Sequence, residues 1–73
     1  MDKLSSYEKK VARLLNVSSN DLHKTGFNSY GTVYSLYNNY YLTEMTFSDG
    51  YSKLEIYRRL LRKLFKQLNI KVA

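Results

Sequence analysis

Thr32-Val33-Tyr34-Ser35-Leu36-Tyr37-Asn38-Asn39-Tyr40-Tyr41-Leu42-Thr43-Glu44-Met45-Thr46-Phe47 decides the fold. Two runs rich in Val, Tyr, Thr and Leu flank a pair of asparagines, and Asn tolerates the left-handed backbone that a tight hairpin needs. The stretch reads as an antiparallel hairpin over 32–47. With Asn38-Asn39 as a two-residue loop, Tyr37 pairs with Tyr40 and Leu36 with Tyr41. Side chains alternate across a strand, so one face then carries Thr32, Tyr34, Leu36, Tyr41, Thr43, Met45 and Phe47. The other carries Val33, Ser35, Tyr37, Tyr40, Leu42 and Glu44. Upstream, the sequence allows a third, shorter strand over 26–30 before Gly31.

Helical patterns flank this core on both sides. Ser5-Ser6-Tyr7-Glu8 has the form of a capping box, in which Ser5 accepts the Glu8 amide and the carboxylate reaches back. Leu4, Tyr7, Val11, Leu14 and Leu15 follow at helical spacing, with Lys9, Lys10 and Arg13 opposite, which predicts an amphipathic helix over 6–15. Ser19 is expected to cap a short turn through Leu22 and Lys24 that stops at a positive-φ Gly26. After the Ser48-Asp49-Gly50 turn, Ser52-Lys53-Leu54-Glu55 is a second capping box. Leu54, Tyr57, Leu60, Leu61, Leu64, Phe65 and Leu68 make a broad apolar stripe, which predicts a long helix over 53–69. The expected class is α+β, in the order α-β-β-(β)-α, with both helices on one face of a small sheet.

Length and composition bound the rest. At 73 residues the chain is expected to form a single small domain, 1–73. A fold of this size buries roughly 60% of its unfolded surface. It has no Cys and one His, His23, which excludes a Cys/His zinc site. Six scattered carboxylates and three isolated glycines offer no catalytic pair and no phosphate-cradling loop. The expectation is no enzyme activity, no cofactor and no metal. No apolar run approaches the ~20 residues of a membrane span, and the start of the chain lacks the apolar segment of a signal peptide. A cytoplasmic protein is expected. Abundant Asn, Lys, Tyr and Ser with little Ala suits an AT-rich genome, phages and plasmids included.

The formal charge of +6 is unevenly placed. Residues 1–52 hold five basic and five acidic groups. Residues 53–73 hold seven basic groups against Glu55 alone, which accounts for the whole excess. Mixed-sign surfaces carry Glu→Lys or Glu→Arg pairs four apart, and here Glu55–Arg59 is the single such pair on the final helix. Arg58, Arg59, Arg62, Lys63 and Lys66 form a contiguous basic arc suited to tracking phosphates. They are the candidate nucleic-acid-binding residues, for DNA or RNA, with Lys9, Lys10 and Arg13 extending the footprint if the first helix lies alongside. The alternatives are a solvated outer face of a packed helix and a basic amphipathic helix on an anionic membrane. Nothing provides readout of base edges, so little sequence specificity is expected.

The Tyr-rich hairpin supports a second reading. Helices covering one face would leave Val33, Tyr37, Tyr40 and Leu42 outside as an interface. That interface fits a homodimer or a protein partner, as in the small interaction modules and inhibitors that mobile elements encode.

Three family patterns echo in these residues. Val11-Ala12, Leu15-Asn16-Val17-Ser18 and Leu22 resemble the core of a helix-turn-helix. Asn16, however, stands where the turn glycine is usual, and the second helix would have to stop at Gly26. The hairpin followed by Ser52-Lys53-Leu54-Glu55 resembles integrase arm-binding domains without their basic strand residues. The α-β-β-β-α order is similar to double-stranded-RNA-binding domains, but Lys53 stands alone where their last helix begins with several lysines. No family is assigned.

Overall fold

In the computed structural model, which describes residues 4–68, the chain is α+β. The order is α1 (Ser6–Leu14), a single 3-10 turn (Ser19–Asp21), β1 (Leu22–Asn28), β2 (Gly31–Tyr37), β3 (Leu42–Phe47) and α2 (Lys53–Gln67). The three strands form one antiparallel sheet in the order β1-β2-β3, so β1 and β3 are both edges. Residue 69, expected as the end of the last helix, lies outside the described residues.

The hairpin forms with a longer loop than the asparagine pair suggested. Tyr37 pairs with Leu42 and Leu36 with Thr43, leaving residues 38–41 as the connection. Asn38 makes that loop possible. Its Oδ1 accepts the amides of Tyr40 (2.9 Å) and Tyr41 (2.8 Å), and its own amide donates to the Tyr41 carbonyl (3.0 Å). A short polar side chain that bonds the backbone two residues on favours such a turn over a bare two-residue hairpin. The register moved by two, and because strand side chains alternate with period two, the faces did not exchange. Leu36, Thr43 and Phe47 are buried as expected, with Tyr34 and Met45 packed against the core.

The upstream region departs from expectation. Ser18, rather than Ser19, is the cap, in a reciprocal box with Asp21. The turn ends at once, and β1 begins at Leu22, four residues before the expected third strand. Only Leu22 of β1 is buried, so this edge strand carries no alternating apolar signal. Gly26 is not in the left-handed region; it adjoins a bulge between Lys24 and Gly26. Residues 29–30 form the turn into β2 and are not strand.

Helix α1 ends at Leu14, one residue before the expected end, with Leu15 as its C-cap and Asn16 left-handed (φ 57°); the Asn16 amide donates to the Arg13 carbonyl and the Val17 amide to the Ala12 carbonyl. This is the Schellman stop, with the apolar Val17 turned back toward the helix. Asn takes the place of the usual Gly because it tolerates this backbone.

One core joins the layers. Val11 and Ala12 of α1, Leu22, Leu36 and Phe47 of the sheet, and Ile56, Tyr57, Leu60, Leu61, Leu64 and Phe65 of α2 form a single cluster. Helix α2 lies across β2 and β3, and α1 packs against α2, with Tyr7 edge-on to Phe65 at 6.5 Å. Leu60, Leu61 and Leu64 are fully buried, and truncating any one to Ala is expected to cost about 2–5 kcal/mol. The buried stripe of α2 includes Ile56, which the sequence reading omitted, while Leu54 is exposed. Thr43, buried beneath the end of α2, donates its hydroxyl to Gln67 Oε1 (2.9 Å) and ties the helix end to β3.

Candidate nucleic-acid interface

Helix α2 forms where it does because Ser52 accepts the Glu55 amide (3.2 Å) at its N-cap and an apolar stripe follows. At about 100° per residue, Arg58, Arg62, Lys66, Arg59 and Lys63 fall in that angular order across the face opposite the core. The two flanks of this arc have different surroundings. Arg58 faces α1; Arg59 and Lys63 face β3.

On the α1 flank, Arg58 Nε lies 3.5 Å from Glu8 Oε1, and Arg62 Nη2 lies 4.0 Å from the same oxygen. Arg58 also lies 4.0 Å from Glu55. Glu8 is only 6% exposed. Its amide donates to Ser5 Oγ (3.1 Å) as expected, but its carboxylate turns to the arginines of α2 instead of back to the cap. Arg58 is thereby engaged with a carboxylate of another element, whereas the partner of Arg59 is Glu55 on its own helix. It neutralises a buried carboxylate at the helix–helix interface.

On the β3 flank, Arg59 donates to Glu55 Oε1 at 2.9 Å, and its guanidinium carbon lies 5.0 Å from the centre of the Tyr51 ring. Lys63 Nζ donates to the carbonyl of Glu44 on the open edge of β3 (2.6 Å). A lysine over an unpaired strand edge also discourages edge-to-edge pairing. Between α2 and β3 lies a groove of about 450 Å³ lined by Met45, Arg59, Arg62, Lys63 and Lys66. Four of the five expected phosphate ligands thus converge on one groove, whose lining contains no carboxylate among the described residues. Arg62 is the freest arginine of the set, with 62% of its side chain exposed.

The α1 cations do not extend this groove. Lys9 and Arg13 border another groove of about 550 Å³ on the opposite flank of α2, with Leu4, Ala12, Val17 and Tyr57 along its walls. Lys10 is exposed and lines neither groove.

The outer sheet face is more polar than the alternation suggested. The Thr25 and Ser35 hydroxyls lie 3.0 Å apart, and Ser35 Oγ lies 3.5 Å from Glu44 Oε1, so a polar row crosses all three strands. Asn28 donates across the sheet to Thr46 Oγ1 (2.7 Å). Of the expected interface set, Tyr37 and Leu42 are exposed neighbours at one end, and Tyr40 projects from the loop with 82% exposure. Val33 is half-buried and sits beyond the polar row. The four residues are not one continuous patch.

The sequence reading missed two lining features, Met45 as a wall of the basic groove and Tyr51 as the aromatic partner of Arg59. Tyr51 precedes the cap of α2 and belongs to no periodic pattern, so no signal in the sequence marks it. No helix among the described residues is long and apolar enough to cross a membrane. Comparison with protein-family models, with curated proteins and with solved structures finds no match for this chain.

Proposed function

We propose that this is a non-enzymatic nucleic-acid-binding accessory or regulatory protein of the cytoplasm, needing no cofactor. Arg59, Arg62, Lys63 and Lys66 contact phosphates. The observation that supports this reading is the convergence of four cations on one groove, where Lys63 and Lys66 meet no carboxylate among the described residues, Arg59 shares its charge with Glu55 and Arg62 lies 4.0 Å from Glu8. A surface cation on a mixed-sign face is ordinary, but four sharing one concavity concentrate positive potential where an anion can sit. Arg supplies a planar fork for a phosphate and Lys a mobile point charge. The contacts are to backbone chemistry, so little sequence specificity follows.

The test is anisotropy of labelled oligonucleotides at several salt concentrations. Arg62→Gln with Lys66→Glu is the informative variant: Lys66 is exposed, and Gln removes the Arg62 charge without setting a second carboxylate beside the buried Glu8 that Arg62 reaches at 4.0 Å. Binding by the native chain that this variant loses by at least tenfold, with an unchanged circular dichroism spectrum, supports the reading. Unchanged affinity in the variant rejects it.

A second reading is favoured by the exposure of Tyr37, Tyr40 and Leu42 at one end of the sheet. In it the chain is a small protein-interaction module or inhibitor, self-associating or docking through those aromatic anchors. Light scattering across a concentration series, with Tyr37→Ser and Leu42→Ser as controls, tests the homodimer form of it.

A further inference from the structure

We infer that the basic groove takes single-stranded nucleic acid, DNA or RNA, with one base stacked on the ring of Tyr51. This inference rests on the nucleic-acid reading of the groove and adds the strand state of its ligand. Arg59 is the link between the two parts: it lines the groove and also lies over the Tyr51 ring, 5.0 Å from its centre. A phosphate held at Arg59 therefore has an aromatic surface within one side chain's reach.

Tyr51 is built to serve as a platform. The residue is 40% exposed, yet the position of its ring is fixed from below. Phe47, buried in the core, meets it edge-on at 5.4 Å, and Tyr34 meets Phe47 edge-on at 6.1 Å. A ring already held in place loses little freedom when a base stacks on it. The tyrosine enters this position directly from Gly50, whose φ of +102° turns the chain out of the sheet and into α2. Bases stack on aromatic rings and on guanidinium planes alike, and a base entering here takes the ring face over which the Arg59 guanidinium lies, while Arg59 turns to the phosphate. Met45 adds a soft apolar wall to the groove.

The same features argue against a duplex. Inside a duplex each base is stacked on its neighbours, and an aromatic platform finds no free face. Single strands leave their bases open, which is why a cationic track beside an aromatic ring is the recurring arrangement for binding them. The cations from Arg59 to Lys66 lie along about 10 Å of helix, a short track that matches a few nucleotides of one strand.

The experiment is anisotropy with labelled oligothymidylate, oligouridylate and a duplex of equal length. The proteins are the full chain and its Tyr51→Phe, Tyr51→Leu and Tyr51→Ala variants, with circular dichroism to check folding. Tighter binding of either single strand than of the duplex is expected. With four phosphates engaged, log K against log salt should have a slope near ~−2.8 on a single strand. Tyr51→Phe should keep the affinity. Tyr51→Leu and Tyr51→Ala should each lose roughly 5- to 150-fold on single strands and leave duplex binding unchanged. Duplex bound as tightly as single strands, or a Leu variant as good as the native chain, overturns this inference and leaves nucleic-acid binding standing. No binding to any of the three ligands overturns both.

Discussion

Glu8 of α1 and Arg58 of α2 form an ion pair across the helix–helix interface, with Glu8 Oε1 3.5 Å from Arg58 Nε. The carboxylate is almost fully buried, and its Oε2 has no hydrogen-bond partner. A buried carboxylate is costly unless a cation and hydrogen bonds compensate it. The pair joins the two helices beside the apolar contacts that Val11 and Ala12 make with the core. With Glu8 turned inward beside Val11 and Ala12, Leu14 is carried to the outside, where it is 76% exposed.

Removing either partner should destabilise the fold. Glu8→Ala and Arg58→Ala are each expected to cost about 1–3 kcal/mol in urea unfolding, less than for a fully buried pair because Arg58 retains contact with water. The double variant should cost less than the sum of the two. Under the proposed function, Arg58→Ala should also weaken oligonucleotide binding less than Lys66→Ala does, once both are compared under conditions where they are folded. The reverse order would return Arg58 to the phosphate-binding set.

Gly31 should not tolerate a side chain. Its φ is +148°, and a Cβ built there would lie 2.2 Å from the backbone oxygen of Phe47 on the neighbouring strand. Backbone cannot swing aside as a side chain can, so Gly31→Ala is expected to cost about 3 kcal/mol or more. Gly26→Ala is the matched control, since a Cβ there would meet nothing within 4 Å and the residue's φ is not in the left-handed region. It should change stability by no more than about 1 kcal/mol in either direction. Thermal unfolding of the two variants side by side checks the contrast.

Alkaline stability should depend on Tyr57. Burial, and secondarily the charge of Asp21, raises its pKa above the ordinary 10.0. The folded chain thus holds this proton more tightly than the unfolded one. The stability associated with it is complete below about pH 10 and is lost as the pH rises through the higher folded value. Tyr57→Phe should flatten part of that alkaline decline. Urea unfolding at pH 8 and above pH 10 measures it, and an identical decline in the Phe variant would exclude Tyr57 as its source.

Much of the fold could be read locally. Ser5 and Ser52 cap the two helices, and the alternation over residues 32–47 identified the buried sheet face despite a wrong loop length. A slip of two residues is invisible to a pattern of period two. The edge strand β1 was not legible beyond its end, because His23, Lys24 and Thr25 are exposed and leave no alternation to detect. The basic arc on α2 was legible as a helical face, but its partition was not. Nothing in the spacing of Arg58, Arg59, Arg62, Lys63 and Lys66 says which of them meets a carboxylate from another element.

By itself, then, the sequence determined the α+β class, the two capped helices and the excess of positive charge on the last one. Each of these depends on residues close together in the chain. Tertiary structure alone decided that Arg58 answers a buried Glu8, that Arg59, Lys63 and Lys66 share a groove with Met45, and that Tyr51 stands beside it on Phe47. Those relationships join residues from different elements, and packing selected them by requiring one shared core and a partner for a buried charge.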